Sequence, residues 1–466
     1  MPGTLIIAGG GLDKAEREIH MKFIEAAGGP KAKLAIVATA GGGDCFEDSQ
    51  WTFDLWTKLG VDAENIVRLP VNSTRNKRPE GYVQVCDGED IRTMLRGVTG
   101  VWFTGGDQYY IAKEFMHPDG SDTLALADLR LMYENGGVIG GSSAGAAMMS
   151  RVMIAGGDSD TALNRPVIWG YDDGAEVGAE VGAGDGADAA RAGIAAARAV
   201  GEVINAETEA VNGAGAVGTG TGAEAEAAAE AAALSIAAAE DDEEESLRIV
   251  SGPGFFTVGV VDQHFNTRPR FFRLIETLFA ASGRGGPAIG FAVSEDTAMV
   301  YDRGSGIISV LGEAAVYIVD CSAATRSGTV GHLAYKGISL GMINRGDTYD
   351  TREKSFRFYM TGECSGVYRS TRYIVPGMVP SCPAFGGFVH DYVVNNRNSS
   401  FPCDPCDPCE NGRSFVRSFV AGLLGGEFYG YELRYNKTET SRAFNTSPGV
   451  YSFCGVTMDA FPRGIL

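Results

Sequence analysis

The chain has 466 residues, of which 44% are hydrophobic, and its formal net charge is −20 at pH 7. This length is sufficient for a large buried core, and nothing in the sequence resembles the basic stripe that nucleic-acid binding requires. The sequence contains no run of eighteen apolar residues, so no transmembrane helix is predicted. The N-terminus has neither the basic region nor the long apolar run that is typical of a signal peptide. We therefore expect a cytoplasmic protein that contacts neither nucleic acid nor membrane.

Residues 1–170 alternate short apolar runs with helical patterns. Strands are predicted at 5–8, 33–39, 66–69, 101–104 and 137–140, and helices at 13–27, 51–59, 90–95 and 124–134. Such alternation, with Gly at strand ends, predicts an α/β fold with a mainly parallel sheet and helices on both faces. Ligands of such sheets bind beyond the carboxyl ends of the strands.

Residues 171–250 differ in composition from the rest, with 18 acidic residues against three Arg. Few large apolar side chains and high like charge predict a disordered insert outside the core. Residues 251–350 then complete the same domain, with a helix at 270–281 and strands at 289–293, 297–301, 307–311 and 315–319. Residues 351–466 are predicted to be a loop-rich β extension of unknown role.

The chain has nine Cys, an odd number that excludes complete disulfide pairing within one chain. Cys403, Cys406 and Cys409 are spaced closely enough to suggest a metal site. A Pro-rich loop is the favoured interpretation, because no second Cys-x-x-Cys pair is nearby. We expect neither metal nor cofactor.

The strongest motif is Gly141-Ser142-Ser143-Ala144-Gly145, which follows an apolar run and precedes an Ala- and Met-rich stretch. A Gly-x-Ser-x-Gly sequence between a strand and a helix is typical of a nucleophile elbow, in which a sharp turn exposes the Ser hydroxyl. The N–H of Ala144 would then point at a developing oxyanion. A phosphate-binding or merely packed Gly turn is the alternative.

A Ser nucleophile needs a base, and the chain has five His. His264 ends a buried-type strand among polar residues, whereas His20 lies in a polar helical stretch and is predicted to be on the surface. Glu295, after the next strand, is the favoured carboxylate to orient the imidazole, and Asp262 is the competing candidate. Gly106 and Gln108, at the end of another strand, could contribute an oxyanion donor and a substrate contact.

Three segments together resemble the cyanophycinases, which belong to a serine peptidase family that also contains aspartyl dipeptidase. These segments are Phe-Thr-Gly-Gly-Asp-Gln at 103–108, Gly-Gly-Ser-Ser-Ala-Gly-Ala at 140–146 and Asp-Gln-His-Phe-x-x-Arg-x-Arg-x-x-Arg-Leu at 262–274. The resemblance implies a fold similar to class I glutamine amidotransferases. It covers about residues 4–350, apart from the insert.

The resemblance also implies roles for individual residues. Ser143 would be the nucleophile, His264 the base and Glu295 the orienting acid. Gly106 and Ala144 would form the oxyanion hole. The implied substrate pocket comprises Gln108, Asp262, Gln263, Arg268, Arg270 and Arg273.

The implied reaction is exopeptidase hydrolysis of cyanophycin, a poly-aspartate chain with Arg on each β-carboxyl, to β-Asp-Arg dipeptides. Arg side chains suit the Asp carboxylates of such a polymer. The alternatives are an aspartyl or isoaspartyl dipeptidase of the same family and a catalytically inactive binding homologue. A glutamine amidotransferase would need Cys in place of Ser143. The enzymes that the chain resembles are dimers, so a homodimer is possible.

Overall fold

The computed structural model describes residues 3–72, 82–170, 246–359, 416–424, 427–447 and 450–463. Most of the predicted insert lies outside these residues, as do Cys403, Cys406 and Cys409. The predictions for those segments therefore stay predictions.

The strands of the described residues are, in chain order, β1 (Thr4–Ala8), β2 (Leu34–Val37), β3 (Ile66–Arg68), β4 (Gly100–Phe103), β5 (Val138–Ser142), β6 (Val152–Gly156), β7 (Ile168–Trp169), β8 (Arg248–Ser251), β9 (Val260–Asp262), β10 (Ile289–Val293), β11 (Thr297–Asp302), β12 (Ile307–Gly312), β13 (Val316–Asp320), β14 (Thr325–Ser327), β15 (Ala334–Ile343), β16 (Thr348–Asp350), β17 (Ser355–Arg357), β18 (Val416–Leu424), β19 (Glu427–Ser447) and β20 (Val450–Arg463). The α-helices are α1 (Glu16–Ala26), α2 (Cys45–Asp48), α3 (Gln50–Lys58), α4 (Glu89–Leu95), α5 (Gln108–Phe115), α6 (Leu124–Glu134), α7 (Ala144–Ala147), α8 (Ser159–Asn164) and α9 (Phe271–Ser282).

The largest sheet has nine strands in the order β17-β16-β12-β11-β1-β5-β4-β2-β3. The five strands from β1 to β3 are parallel, as the alternating pattern predicts. The other four are antiparallel to their neighbours, so the sheet is mixed rather than mainly parallel. The difference follows from the lengths of the connections between strands. The connection between β11 and β12, residues 303–306, is so short that it can join only antiparallel strands.

The parallel half of this sheet is buried on both faces. Alternate residues of β1 belong to different core clusters, Leu5 and Ile7 to one and Ile6 and Ala8 to the other. Helix α6 packs in the first cluster and α1 in the second. The prediction of helices on both faces therefore describes this half correctly.

A second sheet has eight strands, in the order β18-β19-β20-β15-β13-β10-β9, with β14 beside β15. Among the described strands of this sheet, β9 and β10 form a parallel pair, and the other neighbouring pairs are antiparallel. Helix α9 packs on this sheet through apolar side chains that include Phe272 and Ile275. Because β20 pairs with β15, the described part of the C-terminal segment continues this sheet.

A third sheet of three strands, β6-β8-β7, holds the two ends of the predicted insert. Ile168 pairs with Arg248 in a parallel register, and the N–H of Gly170 donates to the Ile249 carbonyl at 3.1 Å. The range 171–250 predicted for the insert is too long at its end. Leu247, Ile249 and Val250 are buried, so they belong to the core.

The prediction of a surface position for His20 is wrong. His20 is 3% exposed, and its Nδ1 accepts a hydrogen bond of 3.0 Å from the indole N–H of Trp56. Burial lowers the pKa of His20 to about 3, so the imidazole is neutral. The partner comes from another helix, which the periodicity of α1 alone could not reveal.

In the part of the chain that the structure describes, no helix combines the length and apolar character needed to cross a bilayer.

Candidate active site

Ser143 occupies the sharp turn between β5 and α7. Its φ of 55° and ψ of −110° are strained for a residue with a Cβ. The flanking glycines are necessary, because a Cβ on Gly141 would lie 2.5 Å from the Gly145 carbonyl oxygen and one on Gly145 would lie 2.2 Å from that of Phe103. The local sequence thus builds the turn that a nucleophile elbow requires.

His264 reaches Ser143 from the other large sheet. It follows β9 with a positive φ of 50°, and its Nε2 lies 2.8 Å from the Ser143 Oγ. Strand β5 belongs to the first sheet and strand β9 to the second. The site therefore lies where the carboxyl ends of two sets of parallel strands meet.

Glu295 follows β10, the parallel neighbour of β9, and its Oε1 lies 2.5 Å from the His264 Nδ1. Its backbone N–H donates to the Asn266 Oδ1 at 2.7 Å, which fixes the chain beside the carboxylate. Of the two candidate acids, Glu295 contacts the imidazole and Asp262 does not contact it in this structure. Ser143, His264 and Glu295 form a continuous chain of hydrogen bonds.

The electrostatics suit a neutral imidazole next to an ionised carboxylate. Burial lowers the pKa of His264 below its ordinary 6.5, and the charges of Arg268 and Arg270 lower it further, against the opposing effect of Glu295. The hydrogen bond from His264 lowers the pKa of Glu295. A neutral His264 can accept the Ser143 proton, and an ionised Glu295 can stabilise the resulting imidazolium.

The two predicted oxyanion donors, Ala144 and Gly106, belong to segments next to Ser143. Ala144 is the first residue of α7, so its N–H has no intrahelical acceptor. Gly106 has φ 134°, and a Cβ there would lie 2.0 Å from the Ala40 carbonyl oxygen. A Cβ on the preceding Gly105 would lie 3.4 Å from the Ser143 Cβ, which places this loop beside Ser143.

Four of the residues predicted to bind substrate are buried and bonded to one another. Arg273 donates to both carboxylate oxygens of Asp262 and, at 2.6 Å, to the Gly157 carbonyl. Arg270 donates to the backbone and the side-chain oxygen of Gln263, both at 2.7 Å. In this structure these groups hold β9 to α9 instead of facing solvent.

The remaining two predicted substrate residues differ in exposure. Gln108 is buried at the start of α5, and its amide donates to the Ile154 carbonyl at 2.8 Å. Arg268 is exposed, and its charge lowers the pKa of both His264 and Glu295. Arg268 is thus the predicted pocket residue that solvent and a ligand can reach.

Sequence reasoning missed several residues that support the site. The Asn266 side chain accepts the backbone N–H of Glu295. Asp296 has a φ of 52°, and its carboxylate accepts the backbone N–H groups of Asp13, Lys14 and Ala15. Gly10 and Gly11 lie against His264 and Glu295. Three consecutive Gly after the first predicted strand, at the edge where ligands bind, were a signal for the last two.

Within the described ranges, no group of three or more His, Cys, Asp or Glu side chains is arranged to hold a metal ion. The three closely spaced Cys of the C-terminal segment are not among these residues. The candidate site itself offers one imidazole and one carboxylate, which already bond to each other.

Comparison with known proteins gives distant relatives. No family model matches the chain. The chain is 24% identical to a cyanophycinase of Trichormus variabilis, over 76% of this chain and 87% of that protein. It is 23% identical to cyanophycinases of Nostoc sp., over 76% of this chain and 87% of the relative, and of Geminocystis herdmanii, over 75% and 94%.

Two solved structures are also similar in part. A peptidase from an acI-B1 Actinobacterium has 17% identity and a TM-score of 0.40, over 75% of this chain and 97% of that one. A putative peptidase E protein from Listeria monocytogenes has 18% identity and a TM-score of 0.22, over 33% and 64%. The sequence relatives, which match three quarters of the chain, support a relationship to peptidases.

Proposed function

We propose that the chain is a serine exopeptidase of the cyanophycinase type, which hydrolyses cyanophycin to β-Asp-Arg dipeptides. The observation that carries the proposal is the hydrogen-bonded chain of Ser143, His264 and Glu295 at a strained strand-to-helix turn. Such a constellation is recognised by geometry and roles, not by order in the sequence.

Each residue has one task in this mechanism. His264 Nε2 takes the proton from Ser143 Oγ as the oxygen attacks the substrate carbonyl, and the N–H groups of Ala144 and Gly106 stabilise the oxyanion. The imidazolium then gives its proton to the leaving amine, which breaks the peptide bond and leaves an acyl-enzyme. Water, deprotonated by His264, hydrolyses the ester and restores Ser143.

The substrate class is supported by the charge beside the triad and by the relatives. Arg268 offers an exposed guanidinium close enough to affect the pKa of His264 and Glu295, and a guanidinium pairs well with an Asp carboxylate. The sequence relatives that match three quarters of the chain are cyanophycinases. An inactive binding homologue would not need the strained backbone of Ser143.

The test is to incubate the purified chain with insoluble cyanophycin and to identify the soluble product by mass spectrometry. We expect β-Asp-Arg from the wild type and no product from Ser143→Ala. Ser142→Ala, at the adjacent Ser of the same motif, is the matched control and should retain turnover. Hydrolysis of aspartyl dipeptides without release of any product from cyanophycin would instead favour a dipeptidase, and release of a product other than β-Asp-Arg would contradict the proposed reaction.

A fluorophosphonate probe tests the Ser chemistry separately from the substrate. Such a probe reacts with an activated Ser hydroxyl, so Ser143 should be labelled in the wild type and in Ser142→Ala. Labelling of Ser143 without turnover of cyanophycin would support the serine hydrolase chemistry and contradict the proposed substrate. An unlabelled Ser143 would contradict both.

A further inference from the structure

Three consecutive glycines follow β1, and we call Gly9–Gly11 the glycine loop. Its backbone bonds to both of the segments that carry the triad's base and acid. The Gly9 carbonyl accepts the N–H of His264 at 2.7 Å, and the Gly10 carbonyl accepts the N–H of Asp296 at 3.0 Å. One short loop of the first sheet therefore holds two residues that follow strands of the second sheet.

The glycine loop also contacts the side chains of the triad. Gly10 has φ +96°, and a Cβ built on it would lie 2.3 Å from Cε1 and 2.4 Å from Nε2 of His264. A Cβ on Gly11 would lie 2.7 Å from the Glu295 Cδ. Contacts below 3.0 Å force one partner to move. The imidazole can therefore reach Ser143 only while residue 10 has no side chain.

The residues that this loop bonds are themselves strained. His264 and Asp296 have φ values of 50° and 52°, which are uncommon for residues with a Cβ. Such conformations persist when surrounding contacts hold them. The Asp296 carboxylate in turn accepts the N–H groups of Asp13, Lys14 and Ala15, so it ties the chain beyond the glycine loop to β11.

We propose that the glycine loop is a positioning element of the triad, in which Gly10 sets the place of the His264 imidazole and Gly11 that of the Glu295 carboxylate. The inference rests on the proposed function for its kinetic consequences, but the placement itself is a matter of geometry. In this assignment the glycines act through the base and the acid, against which they lie.

Glycine is favoured at position 10 by the positive φ as well as by the lack of space for a Cβ, and an experiment must separate these two effects. A φ of +96° strains any residue with a Cβ, whatever lies near it. Gly60 provides the matched control, because its φ is +95° and a Cβ there meets no atom within 4 Å. Gly10→Ala and Gly60→Ala therefore both place an Ala at nearly the same positive φ, and of the two only Gly10→Ala places a methyl group against His264.

The experiment compares the wild type, Gly10→Ala and Gly60→Ala by crystallography, fluorophosphonate labelling of Ser143 and hydrolysis of a soluble β-Asp-Arg oligomer. In Gly10→Ala we expect the distance between Ser143 Oγ and His264 Nε2 to increase beyond hydrogen-bonding range. We expect kcat to fall about 100-fold or more, as for a misplaced catalytic group, with little change in KM. Gly60→Ala should match the wild type in geometry and in kcat.

The inference is overturned if Gly10→Ala keeps the contact between Ser143 and His264, or if both variants lose kcat equally. If Gly10→Ala breaks the contact while the wild type neither reacts with the probe nor hydrolyses the oligomer, the positioning stands and the proposed function fails. Should Gly10→Ala not fold, Gly11→Ala tests the same loop through Glu295. Its φ of +51° is milder for Ala, and it should lower kcat in the same way.

Discussion

Asp262 and Arg273 face each other in a two-point ion pair, with Oδ1 2.6 Å from Nη2 and Oδ2 3.0 Å from Nε. Both side chains are almost fully buried. Burial alone would raise the pKa of Asp262, but the charge and hydrogen bonds of Arg273 outweigh it and hold the pKa below its ordinary value. The pair joins the strand that leads to His264 with helix α9.

We predict that Asp262→Ala destabilises the fold by about 3–5 kcal/mol, because it leaves the Arg273 charge buried without a partner. Urea unfolding measures the change. Glu18→Ala removes one side of the exposed pair with Arg345, and it should change stability by no more than about 1 kcal/mol. If Asp262→Ala unfolds like the wild type and only KM rises, Asp262 binds substrate instead.

The same pair links stability to acidic pH. A carboxylate whose pKa is lower in the folded state adds stability above its unfolded pKa, and this stability is lost as pH falls through the folded value. The wild type should therefore lose more stability than Asp262→Asn between pH 5 and pH 2. Parallel curves for the two proteins would contradict the lowered pKa.

Glu295→Gln should lower kcat by orders of magnitude, about 10⁴-fold where comparable triads lose the orienting carboxylate. The amide cannot stabilise the His264 imidazolium, and it can stabilise the wrong tautomer. Glu313→Gln, an exposed acid 18 positions away, is the control with no expected effect. Retention of wild-type kcat by Glu295→Gln would return the orienting role to another group.

Much of the first sheet and the meeting of Ser143, His264 and Glu295 could be predicted from the sequence, because both depend on local patterns. Short apolar runs that end in Gly predicted β1, β4 and β5, and the motif around Ser143 predicted its turn. His264 was identified by the polar residues around it. Each of these signals is encoded within a few residues, so the separation of 121 positions between Ser143 and His264 does not weaken either one.

Other features depend on partners that are distant in the sequence. The bidentate geometry of Asp262 and Arg273 requires β9 and α9 to be packed first, so the sequence suggested substrate ligands instead. His20 is buried because Trp56 on another helix satisfies its nitrogen. The separate sheets of Ser143 and His264 were also missed, since strand patterns do not show which strands pair.

The pH dependence of kcat/KM should reflect the lowered pKa of His264. The imidazole must be neutral to accept the Ser143 proton, so activity should fall on acidification with a midpoint below the ordinary 6.5. Arg268→Gln removes a positive charge that lowers this pKa, so it should move the midpoint upward, and less so at high salt. Arg284→Gln, which follows the C-terminal end of α9 and whose guanidinium lies over the Trp169 ring, is the control. A wild-type midpoint above 6.5 would contradict the electrostatics.

We expect that the predicted insert can be deleted without loss of activity if the deletion leaves strand β8 intact. Residues 170 and 249 are hydrogen-bonded, so the ends of the segment are already adjacent and a short linker can join them. Replacing residues 174–243 by Gly and Ser should leave hydrolysis of a soluble β-Asp-Arg oligomer nearly unchanged. A deletion that extends through the buried Leu247 should lower the melting temperature. Loss of activity in the shorter deletion would make the segment part of the site.

The strained backbone of Ser143 predicts opposition between stability and activity. A φ of 55° with ψ of −110° costs about 1–3 kcal/mol for a residue with a Cβ, whereas Gly adopts it freely. Ser143→Gly and Ser143→Ala both lack the hydroxyl, so their difference in unfolding free energy isolates the strain. The greater freedom of Gly in the unfolded chain opposes the gain by about 0.5–1 kcal/mol.

We therefore expect Ser143→Gly to be more stable than Ser143→Ala by about 1 kcal/mol, with both inactive. Urea unfolding of the two variants side by side provides the measurement. The reverse order, with Gly less stable, is what unfolded-state entropy alone would produce, and it would mean that the turn holds no strain. The expected order would mean that the fold gives up stability to hold the Ser143 hydroxyl where the His264 imidazole can reach it.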